Sequence, residues 1–255
     1  MFDHVAYFVT FLQTDPFYVV DFPDPATPRI RGELKILGFS RYLHSMNEMD
    51  TLLIGIGQET DTNGRNLGLK IDLYNATDPT EPSLLSRYTD PAKWSSSAAE
   101  WDEKSLRYVP FDDESGVLVL PVNKRMRVNG TAVDYVNMTV GAPNAPTGIL
   151  IDTQAGIIDK DARRPATQWF SGFSVFTVSY TDGIEWLGDI SHFEDVDLCF
   201  YCAGYAQDRT FVIDGKLISI KGRSARSHDL AGNLSSVWGL DFAWGNSTSG
   251  ECCSW

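Results

Sequence analysis

Positive charge is scarce in this chain. The 21 Lys and Arg stand against 34 Asp and Glu, with four His, for a formal net charge of −13. A nucleic-acid surface neutralises phosphates with clustered Lys and Arg, so this balance argues against that partner class. It suits an acidic protein that attracts cations. Long apolar runs are also missing: no stretch approaches the roughly 18 consecutive apolar residues of a membrane-crossing helix. The N-terminus MFDHVAYFVTFLQTDP lacks a basic start and carries Asp3 and His4, so it reads as a strand and not as a signal peptide. Stretches of helical period are hard to find. The common catalytic signatures G-x-S-x-G, P-loop and H-E-x-x-H are absent. Cysteine does not occur before Cys199; Cys202, Cys252 and Cys253 follow. An even number gathered in the last quarter can form two disulfides that tie the tail to the last strands. The alternative is a zinc set, for which the adjacent Cys252–Cys253 pair suits tetrahedral geometry poorly.

What is abundant points to strands and turns. Hydrophobic residues make up 43% and aromatics 12%, enough for a packed core, and 21 Gly with 12 Pro supply many tight turns. Phe17 to Phe22 is apolar, aromatic and β-branched, the composition of a buried strand. Pro23, Pro25 and Pro28 cannot donate to a ladder, so the chain turns there, helped by the Asp24 carboxylate. Residues 30 to 36 then alternate, with Ile30, Gly32, Leu34 and Ile36 set against Arg31, Glu33 and Lys35, the period of a half-buried strand. The phrase returns at Leu69–Tyr74, followed by Asp78-Pro79-x-x-Pro82 and a further strand from Leu84. The two D-P-x-x-P turns lie 54 positions apart. A strand-turn-strand unit recurring at about 40 to 55 residues is the signature of propeller blades.

Turn chemistry marks further hairpins. Asn63-Gly64 predicts a type I′ turn, as does Asp214-Gly215 between strands 210–213 and 216–220. Thr14-Asp15-Pro16 reads as a turn, residues 90–105 as a connecting loop with a short helix, and 124–146 as an insertion. Short strands are expected at 149–152 and 157–158. Hairpins are expected for 106–109 with 117–122 and for 173–180 with 184–190. Glu59, Asp61, Asn63 and Gly64 imitate the start of a calcium loop, but its twelfth position is Lys70 where a bidentate Glu belongs, so a polar hairpin turn is expected. Asp112, Asp113 and Glu114 read as a solvated hairpin tip, and the aromatic run Trp238–Trp244 as packing for the final strand. Five N-x-S/T triplets, at Asn75, Asn129, Asn137, Asn233 and Asn246, exceed chance and point to the secretory route.

The chain resembles the β-propeller domain of predicted secreted proteins distantly related to WD40 repeats. The matching phrases are residues 6–44, 52–82, 104–122, 186–192 (WLGDISH) and 209–230, in order and spread over nearly the whole length. Members are longer, and the resemblance implies that this chain is the C-terminal part of such a propeller. It implies no established activity. It also implies that His44 and His192 sit near blade junctions, with Glu103 at the place of a third histidine. Two imidazoles and a carboxylate from three blades are competent to hold a metal ion in a central channel.

The expected architecture is all-β, a propeller of about four antiparallel blades, incomplete or open, over residues 1–244, with a polar Cys-containing tail at 245–255. The expected role is an extracellular binding or scaffold module for a protein or carbohydrate ligand. The alternative is a metal-dependent, hydrolase-like enzyme at the channel.

Overall fold

The computed structural model describes residues 4–10, 14–92, 94–128, 166–192, 208–222, 224–231 and 234–241. Cys199, Cys202, Cys252, Cys253, Asn129, Asn137, Asn233 and Asn246 lie outside the described residues. So do the expected strands at 149–152 and 157–158 and the tail 245–255.

Strands dominate, in four antiparallel sheets that follow one another along the chain. The first holds β1 (Val5–Val9), β2 (Thr14–Asp21) and β3 (Arg29–Leu37). The second is the meander β4 (Phe39–Ser45), β5 (Leu52–Thr60), β6 (Asn66–Asn75) and β7 (Ser83–Thr89). In the third, β10 (Ser115–Val128), β11 (Ala166–Ser179) and β12 (Gly183–Ser191) follow a first strand broken into β8 (Ser95–Ser97) and β9 (Arg107–Pro110). The fourth is β13 (Arg209–Ile213), β14 (Lys216–Lys221), β15 (Ser224–Asp229) and β16 (Ser235–Asp241).

The sheets stack face to face, and strand parity decides which side chain enters which core. On β5, Ile54 and Ile56 face the third sheet, while Leu53 faces the first. On β10, Leu118 and Leu120 face the second sheet, while Val117 and Val119 face the fourth. Phe17 stacks on Tyr74 at 4.7 Å between the first and second sheets. Tyr88 meets Phe176 edge-on at 4.8 Å between the second and third. Three apolar cores therefore join four sheets in series, the packing of successive propeller blades. None of the three joins the fourth sheet to the first, so the described propeller is open.

Several turns follow their sequence signals. The Asp24 and Asp78 carboxylates accept the N–H of Ala26 (3.0 Å) and Thr80 (2.8 Å), so the repeated D-P-x-x-P phrase is one Asp-capped turn used twice. Asp214 and Gly215 adopt φ of 49° and 71°, as a type I′ hairpin requires.

Other expectations are corrected. Thr14 to Pro16 belong to β2 and not to a turn. Among the described residues they pair with β3, while the β1 ladder ends opposite Phe17, so Pro16 lies where β2 has one described neighbour, as suits a residue without an N–H. A bulge opposite Val19/Val20 breaks the alternation of β3 and turns Ile30 outward. At Asn63-Gly64 only Gly64 has positive φ, so the turn is not type I′. Asp61 caps the loop by accepting the N–H of Asn63 (2.8 Å) and Arg65 (2.9 Å). Residues 95–97 are a strand on β10, and two 3-10 turns, Ala98–Glu100 and Glu103–Ser105, follow. Trp238 lies on the edge strand β16 and is largely exposed, so it does not close a core.

Candidate functional site along the first strands

The first strands β4, β8–β9 and β13 approach one another through the two 3-10 turns, and this seam gathers the most distinctive surface chemistry. Arg41 is the extra residue of a bulge in β4, between Ser40 and Tyr42, the kind of irregularity that re-aims a side chain. Its guanidinium lies 5.2 Å from the Phe39 ring centroid and 5.7 Å from that of Trp101. Its Nε is 3.6 Å from Glu100 Oε2. Glu100 is itself fixed. It closes a capping box with Ser97, accepts the Ser97 N–H at 3.2 Å and accepts Gln58 Nε2 at 2.6 Å. Burial pushes its carboxyl above the usual range.

On the other side of Trp101, Asp102 accepts Arg209 Nη1 at 2.9 Å and the Lys104 N–H at 3.1 Å. The residues flanking Trp101 are thus tied to the second sheet on one side and to the fourth on the other. The indole between them remains 65% exposed. The arrangement offers a rigid aromatic face beside a guanidinium, which can stack on an apolar or sugar ring and donate to oxygen acceptors. The sequence marked Trp101 only as a loop tryptophan. Arg41 and Arg209 carry no distinguishing sequence signal, and their partners become visible only when three sheets meet.

The expected metal ligands lie apart. His44, on β4, bonds through Nδ1 to the Tyr42 hydroxyl at 3.1 Å and meets Tyr108 edge-on at 5.7 Å. Burial lowers its pKa. Tyr108 is pushed up to about 12 by burial and by Asp112. Glu103 is exposed on the second 3-10 turn, where its charge acts on Tyr42. His192 follows β12 on the opposite face of the third sheet. It is buried against Phe173, with Nε2 2.7 Å from Ser219 Oγ. Among the described residues no group of three or more His, Cys, Asp or Glu is placed to hold a metal ion.

The calcium-like run is a hairpin turn, and its Glu59 pairs with Arg87 at 2.8 Å. Asp112 caps its own hairpin by accepting the Glu114 N–H at 2.9 Å. Asn75 closes β6 and accepts the N–H of Thr77 at 2.9 Å. No helix among the described residues is long and apolar enough to cross a membrane.

Sequential antiparallel meanders stacked face to face are the build of a propeller, and the chain belongs to the beta propeller domain family, which it matches over residues 1–232. It is 37% identical over 125 residues to an uncharacterized protein of Methanocaldococcus jannaschii, covering 47% of this chain and 19% of that protein. It is 36% identical over 131 residues to an uncharacterized protein of Archaeoglobus fulgidus, covering 51% and 18%. The matched region thus spans about a fifth of these curated relatives. Among solved structures, a mutant of the Synechocystis apocarotenoid oxygenase aligns with a TM-score of 0.38 at 8% identity, covering 93% of this chain and 46% of that one. A Lactobacillus plantarum protein aligns with a TM-score of 0.20 at 10% identity, covering 89% and 67%.

Proposed function

We infer that this propeller is an extracellular binding module that takes a protein or carbohydrate ligand at the seam of its first strands. The observation that carries this reading is Trp101, an exposed indole under Arg41 whose flanking residues Glu100 and Asp102 form ion pairs to two neighbouring sheets. Tryptophan and arginine dominate binding hot spots because both offer large contact area with directional polar groups. Propeller loops present such groups on a stiff frame, and function on such folds resides in grafted sites. The Asn75 triplet starts at the half-buried end of β6 and runs into an exposed turn at Thr77, and a glycan there would accord with the secretory route.

The test is expression through a eukaryotic secretory host, followed by glycan-array and surface-protein binding with the parent, Trp101→Ala and Arg41→Ala proteins. Secretion with a glycan on Asn75 is expected. So is a ligand whose affinity falls by about tenfold or more in both variants. A ligand bound equally by all three proteins would place the site elsewhere. Protein retained in the cell without glycan would remove the extracellular assignment.

A further inference from the structure

The contact between the second and third sheets buries a lysine against two carboxylates. Lys124 on β10, Asp90 just after β7 and Asp189 on β12 have side chains 5%, 2% and 6% exposed. Lys124 Nζ lies 2.5 Å from Asp189 Oδ2, 3.5 Å from Asp90 Oδ2 and 5.1 Å from the centre of the Phe170 ring. Each carboxyl is held by its other oxygen. Asp189 Oδ1 accepts the Ser174 hydroxyl at 2.6 Å and the Trp186 indole N–H at 3.1 Å. Asp90 Oδ1 accepts the Ala92 N–H at 2.8 Å, and the Asp90 N–H donates to the Leu69 carbonyl at 2.8 Å. Asp189 Oδ2 receives no aligned hydrogen bond. The other buried Lys–Asp pairs differ. Lys70 meets Asp72, whose two oxygens are already held by Arg87 and Tyr74. Lys221 meets Asp208 alone, at 2.6 Å. Among the described residues, Lys124 is the one lysine with two carboxylates in ion-pair reach.

We propose that Lys124 and Asp189 condense into an amide cross-link, with Asp90 carrying a proton between them. Lys124 passes one ammonium proton to Asp189 Oδ2, which leaves a neutral amine beside a neutral carboxylic acid. A water-free contact favours that exchange, because it removes two buried charges. The amine lone pair then forms the N–C bond at Asp189 Cγ. Charge gathers on Oδ1, where the Ser174 hydroxyl and the Trp186 N–H already donate. Asp90 takes a second proton from the nitrogen and hands it to Oδ2. The Cγ–Oδ2 bond breaks and water departs. The third proton stays as the amide N–H, and Asp90 ends as it began. Burial, opposed by Lys124, holds the Asp90 carboxyl above its usual range, which makes its carboxylate a stronger base. Packing keeps nitrogen and carboxyl together, so the step draws on proximity that two free groups lack. The product ties β12 to β10 across β11 and closes residues 124–189 into a covalent ring.

The test is the intact mass of the full chain, made in a bacterial host, held folded at neutral pH for days, then reduced and denatured. A mass one water below that of the 28.4 kDa chain is expected. Proteolysis should release a branched peptide in which the segment holding Lys124 is joined to the segment holding Asp189. Lys124→Arg keeps the positive charge but supplies no amine, so it retains the full mass. Asp90→Asn keeps the Lys124–Asp189 contact and removes the proton carrier, so bond formation slows by about a hundredfold or more in a time course of mass after refolding. The parent measurement stands even where a variant folds poorly. A folded parent that keeps its full mass and gives no branched peptide overturns the proposal. So does a lost water that maps to a ring closure at Asp182-Gly183 or Asp214-Gly215. A branch from Lys124 to Asp90, or an Asp90→Asn protein that reacts as fast as the parent, overturns the roles assigned to the two carboxylates.

Discussion

Replacing Asp72 by Asn is expected to destabilise the protein far more than replacing its neighbour Lys70 by Met. Both side chains lie on β6, between the first and second sheets, and neither is reached by solvent. Asp72 is the hub of a buried cluster. Its Oδ1 accepts Arg87 Nε at 2.6 Å, and its Oδ2 accepts Arg87 Nη2 at 3.0 Å, Tyr74 Oη at 2.9 Å and Lys70 Nζ. Arg87 reaches on to Glu59 at 2.8 Å. Burial lowers the pKa of Lys70, against the attraction of Asp72 that holds its proton. Removing the Asp72 charge leaves the Lys70 ammonium and the Arg87 guanidinium facing each other in a dry interface. Breaking a buried pair in this way costs about 3–5 kcal/mol. Removing Lys70 instead leaves Asp72 with Arg87 and Tyr74, while Met fills the stem volume, so a loss of about 1 kcal/mol is expected. With a urea slope of about 3 kcal/mol per molar, the Asp72→Asn midpoint falls by about 1 M or more and the Lys70→Met midpoint by a third of that. Equal midpoints for the two variants, or an Asp72→Asn protein close to the parent, would refute the assignment of Asp72 as the hub.

Two further outcomes follow from the geometry. His192 is buried and its pKa is pushed down to about 3, first by burial and then by Arg226 and Lys221. The unfolded chain binds a proton there below about pH 6.5 while the folded one does not, so stability present above 6.5 is lost as the pH falls toward 3. Parent and His192→Gln should therefore diverge in chemical denaturation by up to about 1.4 kcal/mol per pH unit across that window, the parent losing more; parallel pH profiles would show that His192 is not held neutral. Gly57 admits no side chain, because a Cβ would lie 1.9 Å from the Phe39 carbonyl oxygen. Gly57→Ala must push β4 from β5 and lower stability by about 1–3 kcal/mol, read as a fall in the thermal midpoint, whereas an unshifted midpoint would contradict the close approach of these strands.

How much of this was legible beforehand depended on how local the cause was. The D-P-x-x-P turns, the Asp214-Gly215 hairpin and the recurrence of strand pairs were readable because turn geometry is set by a few neighbouring residues. The first strand of the third sheet was readable only in its second half, where 106–109 was expected to pair with 117–122; Ser95–Ser97 was not, since serine-rich polar sequence carries no strand period and only the pairing with β10 makes it a strand. LKIDLY, residues 69–74, alternates like a half-buried strand with Lys70 and Asp72 in water. In the fold both faces of its sheet are covered, so the polar face becomes the Lys70–Asp72–Arg87 cluster. The resemblance-based grouping of His44, Glu103 and His192 followed blade order along the chain. The third sheet lies between the two histidines: His44, on the second sheet, meets Tyr108 on one of its faces, and His192, after β12, is buried against Phe173 and Ser219 on the other.

That this chain folds as a series of antiparallel β-meanders follows from its residues alone, because hydrophobic period and turn residues act over a few positions. Which faces meet was settled by tertiary packing, since one step of strand parity sends a side chain into one core or the next. It decided that Trp101 stands exposed between two ion-paired neighbours, because Arg41, Gln58 and Arg209 reach that seam from other sheets.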